Sequence, residues 1–357
     1  MLYYVVVVIL VLSFIAHSVG RKSSRKVYDF AILLLIIFSA LRNAFLYPDI
    51  ANYCDFFQYG KTPLLENFGT GYTILNQAVK LVFPSFQVLL AIISVVVIGS
   101  YAKVIKDYSP SIWLSLLLYL LINYYPSFFI LRQYIAIAII LLSLKYVIKR
   151  EPIKFGLCAI IAFSFHATAL LAVPLYLLYG MKGNVKNMII LAIGCVLVDV
   201  MFMSAAQYVN LFSTYYAGYF ETEVEESMWR RVLLKIYIAA IYIFTLRKKS
   251  YEEGINRLVF YGMILNVVIC IAGMNIFSAH RLREYFAYAD FIGVPIILHE
   301  ASKLRSLKKP FIYLLVAIYI GALAITFNNF VQSNNMNNEY EFFGNAKDMG
   351  GSDVFMQ

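Results

Sequence analysis

Arg132 and Gln133 interrupt a stretch from Trp113 to Ile148 that is otherwise apolar except around Pro126. With a turn at Pro126, Arg132 stands six residues into the following helix, roughly 9 Å below the turn at 1.5 Å rise per residue. A guanidinium at that depth costs several kcal/mol in hydrocarbon, so it demands a polar cavity or an anionic partner; snorkelling to the surface is the alternative. A second group lies in FSAHRLREYFAY, where His280 and Glu284, and likewise Arg281 and Tyr285, are four apart. On a helix this spacing makes two polar stripes, and clustered arginines such as Arg281 and Arg283 suit phosphate oxygens through their fixed fork of donors. An ordinary solvated turn has the same composition.

A third group occupies LRNAFLYPDIANYCDFFQYG, in which Asp49, Tyr53 and Phe57 recur every fourth residue. The spacing predicts a short helix that caps the molecule, with Asp49 and Arg42 near the membrane surface. An interfacial amphipathic helix carrying belt aromatics is the plainer reading. His166, in SFHATALLAVP, closes an apolar run and reads either as a capping residue or as an acid–base group. Glu221, Glu223, Glu225 and Glu226 precede Trp229, Arg230 and Arg231, a charge run that suits a solvated loop or a lid. Asp199 is a further charge inside an apolar run, with no partner assigned.

The elements that hold these residues follow from composition. The 357 residues are 62% hydrophobic and 14% charged, with a mean hydropathy of +0.74, more apolar surface than a soluble core of this length hides. Lipid must be the solvent for much of the chain. Apolar runs of spanning character occupy 2–19, 27–41, 86–104, 113–125, 127–148, 153–165, 167–179, 187–204, 232–246, 258–277, 285–298 and 310–327. The expected fold is an all-α polytopic integral membrane helical bundle of about 12 transmembrane helices, 10–13, with structured outer-face loops. Residues 1–327 read as one multi-span membrane domain with outer loops 42–85 and 205–231, and 328–357 as a polar C-terminal tail.

The net charge of +10 invites a nucleic-acid partner, but the placement of the charge opposes it. Twenty of the thirty basic residues fall on six alternate loops, the pattern of cytoplasmic connections, which puts both termini outside. No basic residue precedes the first run and no small-residue cleavage site follows it, so it reads as a retained helix. Cys158, Cys195 and Cys270 lie within apolar runs and Cys54 in an outer loop, which gives neither a disulfide framework nor metal-ligand spacing. There is no phosphate-binding glycine loop, zinc-protease helix or nucleophile-elbow serine, and no internal repeat of transporter type.

The segments LRNAFLYPDIANYCDFF, FFILRQYIAIAIILLSLKYVIKR, FSFHATALLAVPLYLL and HRLREYF together resemble the EpsG-like branch of the Wzy-type bacterial polysaccharide polymerases, over roughly Tyr3 to Phe327. The most specific part is RQ before an apolar helix, followed by FH with a small residue and an apolar run. The first motif departs from the commoner form, which has glycine where this chain has Pro48.

The resemblance implies a glycosyltransferase of the bacterial inner membrane, joining repeat units of O-antigen, capsule or exopolysaccharide at the periplasmic or outer face. It implies an undecaprenyl-pyrophosphate-linked oligosaccharide as substrate, the lipid bilayer and a chain-length regulator as partners, and no cofactor, metal or nucleic acid. Arg132, helped by Arg281 or Arg283, then binds the pyrophosphate and stabilises the charge that develops as the glycosidic bond breaks. Asp49 or His166 takes the acceptor's proton, and Arg42, Tyr53, Gln133, Arg283 and Tyr285 contribute to substrate binding. A flippase for lipid-linked oligosaccharide and an O-antigen ligase are the alternatives. A membrane acyltransferase would carry a histidine near an arginine early in the chain, a context that His17 lacks.

Overall fold

The computed structural model describes residues 2–18, 21–43, 50–60, 68–181, 227–246, 254–272, 282–304 and 308–333. These form thirteen α-helices and no strand. In chain order they are α1 (Leu2–Ser18), α2 (Arg21–Ala40), α3 (Ile50–Tyr59), α4 (Thr70–Val82), α5 (Phe86–Tyr108), α6 (Ile112–Tyr119), α7 (Leu131–Ile148), α8 (Pro152–Phe165), α9 (Val173–Gly180), α10 (Ser227–Thr245), α11 (Gly254–Ala272), α12 (Tyr288–Ser302) and α13 (Lys308–Ser333). The run expected at 187–204 lies outside the described residues, as do Asp199 and the Glu221–Glu226 patch.

Among the described residues four helical segments are long and apolar enough to cross a membrane: Phe86–Tyr108, Leu131–Ile148, Gly254–Ile271 and Lys308–Gln332. Shorter apolar helices cover Tyr4–Ser18, Ile112–Tyr124, Pro152–Phe165 and Ala167–Gly180. Large apolar side chains point outward on α1 (Tyr4, Phe14), α8 (Ile153, Ile160) and α13 (Leu314, Ile325). Water would not tolerate such a surface, and lipid requires it. The protein is therefore a helical, multi-pass membrane protein.

Two boundaries differ from expectation. Arg21, Lys22, Arg25 and Lys26 belong to the first turns of α2 rather than to a loop; straight-chain basic residues are good helix formers, and their stems lie readily along apolar surface. α13 continues past Phe327 to Ser333 because Phe327 and Val331 are buried and Phe330 packs on Tyr125 and Phe129.

α7 is the central helix. It packs against α5 and α8 and buries Tyr134, Ala136, Ala138, Ser143 and Val147, small residues letting the backbones approach closely. Before it the chain turns in an unusual way. α6 loosens into a π-turn at Leu120–Tyr124, tightens into a 3-10 turn at Pro126–Phe128, and then breaks at Ile130, whose φ of −94° and ψ of 56° are not helical. Single π-turns within α-helices are frequent at functional sites.

Candidate functional site

The break at Ile130 alters the position of Arg132. α7 begins at Leu131, so Arg132 is its second residue and not one six residues below the turn. It occupies the first turn of a helix whose N-cap, Ile130, has no side-chain acceptor to offer the leading N–H groups. A cation beside the positive end of a helix dipole gains nothing from the helix. Arg132 is half-buried, its guanidinium lies 4.7 Å above the Phe68 ring, and its buried Nε has no hydrogen-bond partner among the described residues.

Phe68 belongs to an aromatic cap. It stacks on Phe56 at 4.3 Å and packs against Tyr53 and Tyr72, which also touch each other. α3 forms over the segment where the four-residue spacing predicts a helix, and both Tyr53 and Phe57 turn inward. Burial pushes the Cys54 thiol on this helix up to about 11, and the Asp55 carboxylate adds to the shift. The thiol stays protonated at neutral pH and is no nucleophile.

Gly69 docks the cap on the end of α8. Its φ is +82°, a left-handed conformation that glycine alone adopts without strain, and a Cβ there would lie 2.7 Å from the Ser164 carbonyl oxygen. Gly71 likewise leaves space that the Ser164 hydroxyl and the Phe165 ring fill. The next residue along α8 is its C-cap, His166. His166 Nδ1 lies 2.6 Å from Thr168 Oγ1, and the Thr168 hydroxyl in turn lies 3.2 Å from the Tyr285 hydroxyl.

Tyr285 is buried in a 3-10 turn, Arg283–Phe286, that carries two further site residues. Arg283 Nε approaches Glu284 Oε1 at 3.5 Å. Glu284 Oε2 accepts hydrogen bonds from Asn123 Nδ2 at 2.6 Å and from the Tyr134 hydroxyl at 3.3 Å. Asn123 belongs to the π-turn and Tyr134 to α7, two residues beyond Arg132. Contacts and chain neighbours together form a circuit: Arg132 on Phe68, Gly69 next to it against Ser164 and Phe165, His166 following in sequence and joined through Thr168 to Tyr285, and Glu284 beside Tyr285 reaching back to α7 at Tyr134.

Among the expected residues, Arg132, His166 and Tyr285 are members of this circuit, and Tyr53 and Arg283 flank it through Phe68 and Glu284. Gln133 is buried beside Arg132 in the same turn of α7. Asp49 and Arg281 lie outside the described residues. Arg42 is 1% exposed and turned to the protein's own backbone. It donates to the Phe128 carbonyl at 2.8 Å, to the Ser39 carbonyl and to the hydroxyls of Ser39 and Ser94, and stands 4.8 Å from the Phe128 ring. It anchors the 3-10 turn that leads into α7, and so positions Arg132 from behind.

Two polar groupings escaped the sequence reading. Glu284 stands out in sequence only as part of a stripe, whereas it is the buried carboxylate that ties the 3-10 turn to the π-turn and to α7. The other is Lys235 with Asp290, 5% and 1% exposed and 2.5 Å apart between α10 and α12. Asp290 also accepts from the Tyr319 hydroxyl on α13 at 2.9 Å and from Asn266 on α11 at 3.4 Å. Both residues carried a signal, a lone charge inside an apolar run.

No group of three or more histidine, cysteine, aspartate or glutamate residues suited to a metal ion occurs among the described residues. Residues 27–342 match the model of the EpsG family. No curated protein and no solved structure matches the chain.

Proposed function

Because this chain belongs to the EpsG family, we propose that it is a polysaccharide polymerase, transferring a growing glycan from undecaprenyl pyrophosphate to a lipid-linked repeat unit at the outer face of the bacterial cytoplasmic membrane. The observation that carries this reading is Arg132, a cation at an uncapped helix N-terminus, stacked on Phe68 of the cap that Gly69 seats against Ser164 and Phe165 at the end of α8. A helix start with its N–H groups and an arginine suits pyrophosphate oxygens. In the reaction the acceptor hydroxyl oxygen attacks the anomeric carbon, the bond from that carbon to the pyrophosphate breaks, and the lipid pyrophosphate leaves as an anion. Arg132, with Arg281 or Arg283, stabilises that developing charge. His166, held by Thr168 whose hydroxyl in turn meets Tyr285, takes the hydroxyl proton; Asp49, immediately before α3 in sequence, is the other candidate.

Deleting the gene distinguishes the functions. Loss of a polymerase leaves single repeat units attached to their acceptor, read as one band where the wild type gives a ladder. Loss of a flippase or ligase leaves no attached glycan, and that outcome refutes the polymerase reading. An unchanged ladder refutes all three.

The same reading places about a dozen spans across the membrane, with the basic connections in the cytoplasm and both termini outside. Reporter fusions at Ser250 and Asn334 are expected on opposite sides, the first cytoplasmic. A cytoplasmic signal at Asn334 reverses the parity of the spans.

A further inference from the structure

Between α3 and α4 a cavity of about 270 Å³ opens beside the aromatic cap. Nothing in the circuit around Arg132 uses it. We propose that this cleft is a saccharide subsite, which holds one sugar residue of the lipid-linked substrate; the proposal rests on the polymerase reading and adds a second place of contact to it.

The lining supports a neutral polyhydroxyl ligand. Phe56 and Phe57, both buried, supply apolar walls, while Gln58, Thr73, Asn76 and Gln77 supply amides and a hydroxyl. Amides donate and accept, as vicinal hydroxyls require of their partners. Tyr59 stands 67% exposed and offers a ring face to a sugar. The one cation of the lining, Lys80, donates to the Gln58 carbonyl at 2.7 Å and lies 5.9 Å from the Phe57 ring. It laces α3 to α4, so the cleft is formed in advance and its charge is already engaged. Small-molecule sites usually span roughly 300–1,000 Å³, so this volume suits a single small polar unit.

Asn76 points to a missing partner. It is 4% exposed, and its Nδ2 donates to the Tyr72 carbonyl at 2.7 Å. Its buried Oδ1 has no hydrogen-bond partner among the described residues. A buried acceptor left unsatisfied is destabilising and rare; Asn76 also lines the cleft, and a rotation of its amide would bring the acceptor within reach of a sugar hydroxyl there.

The neighbouring face of α4 sets the depth of the cleft. Tyr72, Asn76 and Val79 face the protein, whereas Ile74, Ala78 and Leu81 form an exposed apolar stripe, with Leu81 87% exposed. Such a stripe suits the membrane interface, which would set the cleft at the level of the lipid headgroups, where the first sugars of a lipid-linked glycan stand.

The test uses the full-length protein in lipid nanodiscs, with the single repeat-unit oligosaccharide prepared from the host polymer as probe and saturation-transfer NMR as readout. The wild type is expected to bind saturably. Gln77→Ala combined with Tyr59→Ala removes two exposed side chains, so folding is preserved, and should weaken binding at least tenfold with an unchanged gel-filtration profile. Wild-type affinity in this variant, or no binding by the wild type, overturns the subsite. The polymerase reading falls on different evidence: a normal glycan ladder in the deletion strain.

Discussion

Arg132→Ala, expressed in a strain without the native copy, is expected to abolish the polymer ladder, and Arg132→Lys to leave a weakened one. The alanine variant loses the fork that grips two pyrophosphate oxygens at once, and lysine restores the charge without the fork. Removing one donor aimed at developing negative charge typically lowers the rate by about 10²–10³, enough to erase long chains from a gel. Loss of protein is not the trivial explanation. Arg132 stands in the first turn of α7, stacked on Phe68, and taking a cation out of a membrane helix eases insertion. Immunoblotting of the membrane fraction checks this directly. A full-length ladder from Arg132→Ala with normal protein levels would remove the proposed role and leave the guanidinium as a support for the aromatic cap.

The largest effect on stability is expected at Asp290. Asp290→Ala leaves Lys235 buried without its counter-charge and takes the acceptor from Tyr319 and Asn266, across four helices at once. Breaking a buried pair by removing one partner costs about 3–5 kcal/mol. The variant should aggregate or lose its monodisperse peak when the detergent extract is heated well below the wild-type transition. Lys235→Met combined with Asp290→Asn keeps an acceptor for Tyr319 and leaves no unpaired charge, and should recover most of the lost stability. Equal thermal profiles for Asp290→Ala and the wild type would show that the pair does not hold these helices together.

Much of the molecule was legible in the sequence. Composition alone requires a helical membrane protein, and apolar runs locate α5, α8 and α13 to within a few residues at their starts. The four-residue spacing of Tyr53 and Phe57 places α3. Arg132, His166 and Tyr285 stand out as polar residues that apolar surroundings do not explain, and the structure links them. What sequence leaves open is pairing over distance. Glu284 and Asn123 are 161 positions apart, Asp290 and Lys235 are 55 apart, and a lone charge in an apolar run announces a need without naming its partner. The depth assigned to Arg132 failed for a local reason. Backbone breaks at Tyr119–Ile130 come from π and 3-10 turns that Pro126 marks but does not measure, so counting residues at the α-helical rise misplaces whatever follows.

The π-turn at Leu120–Tyr124 also bears on how this region tolerates changes in length. A π-turn carries one more residue than the α-turn it replaces, so α6 and α7 are joined by a segment that holds a spare residue. Deleting one position within it would allow the backbone to close into ordinary α geometry without breaking the helix. The flanking elements would keep their register, but residues of the turn that follow the deleted position would be re-indexed by roughly 100° about the axis, swinging the amide at Asn123 away from the carboxylate it meets when the deletion precedes it. Gaps between related chains at this point would therefore be compatible with helix formation and insertion, yet would change which side chain faces the 283–286 turn and meets its buried carboxylate.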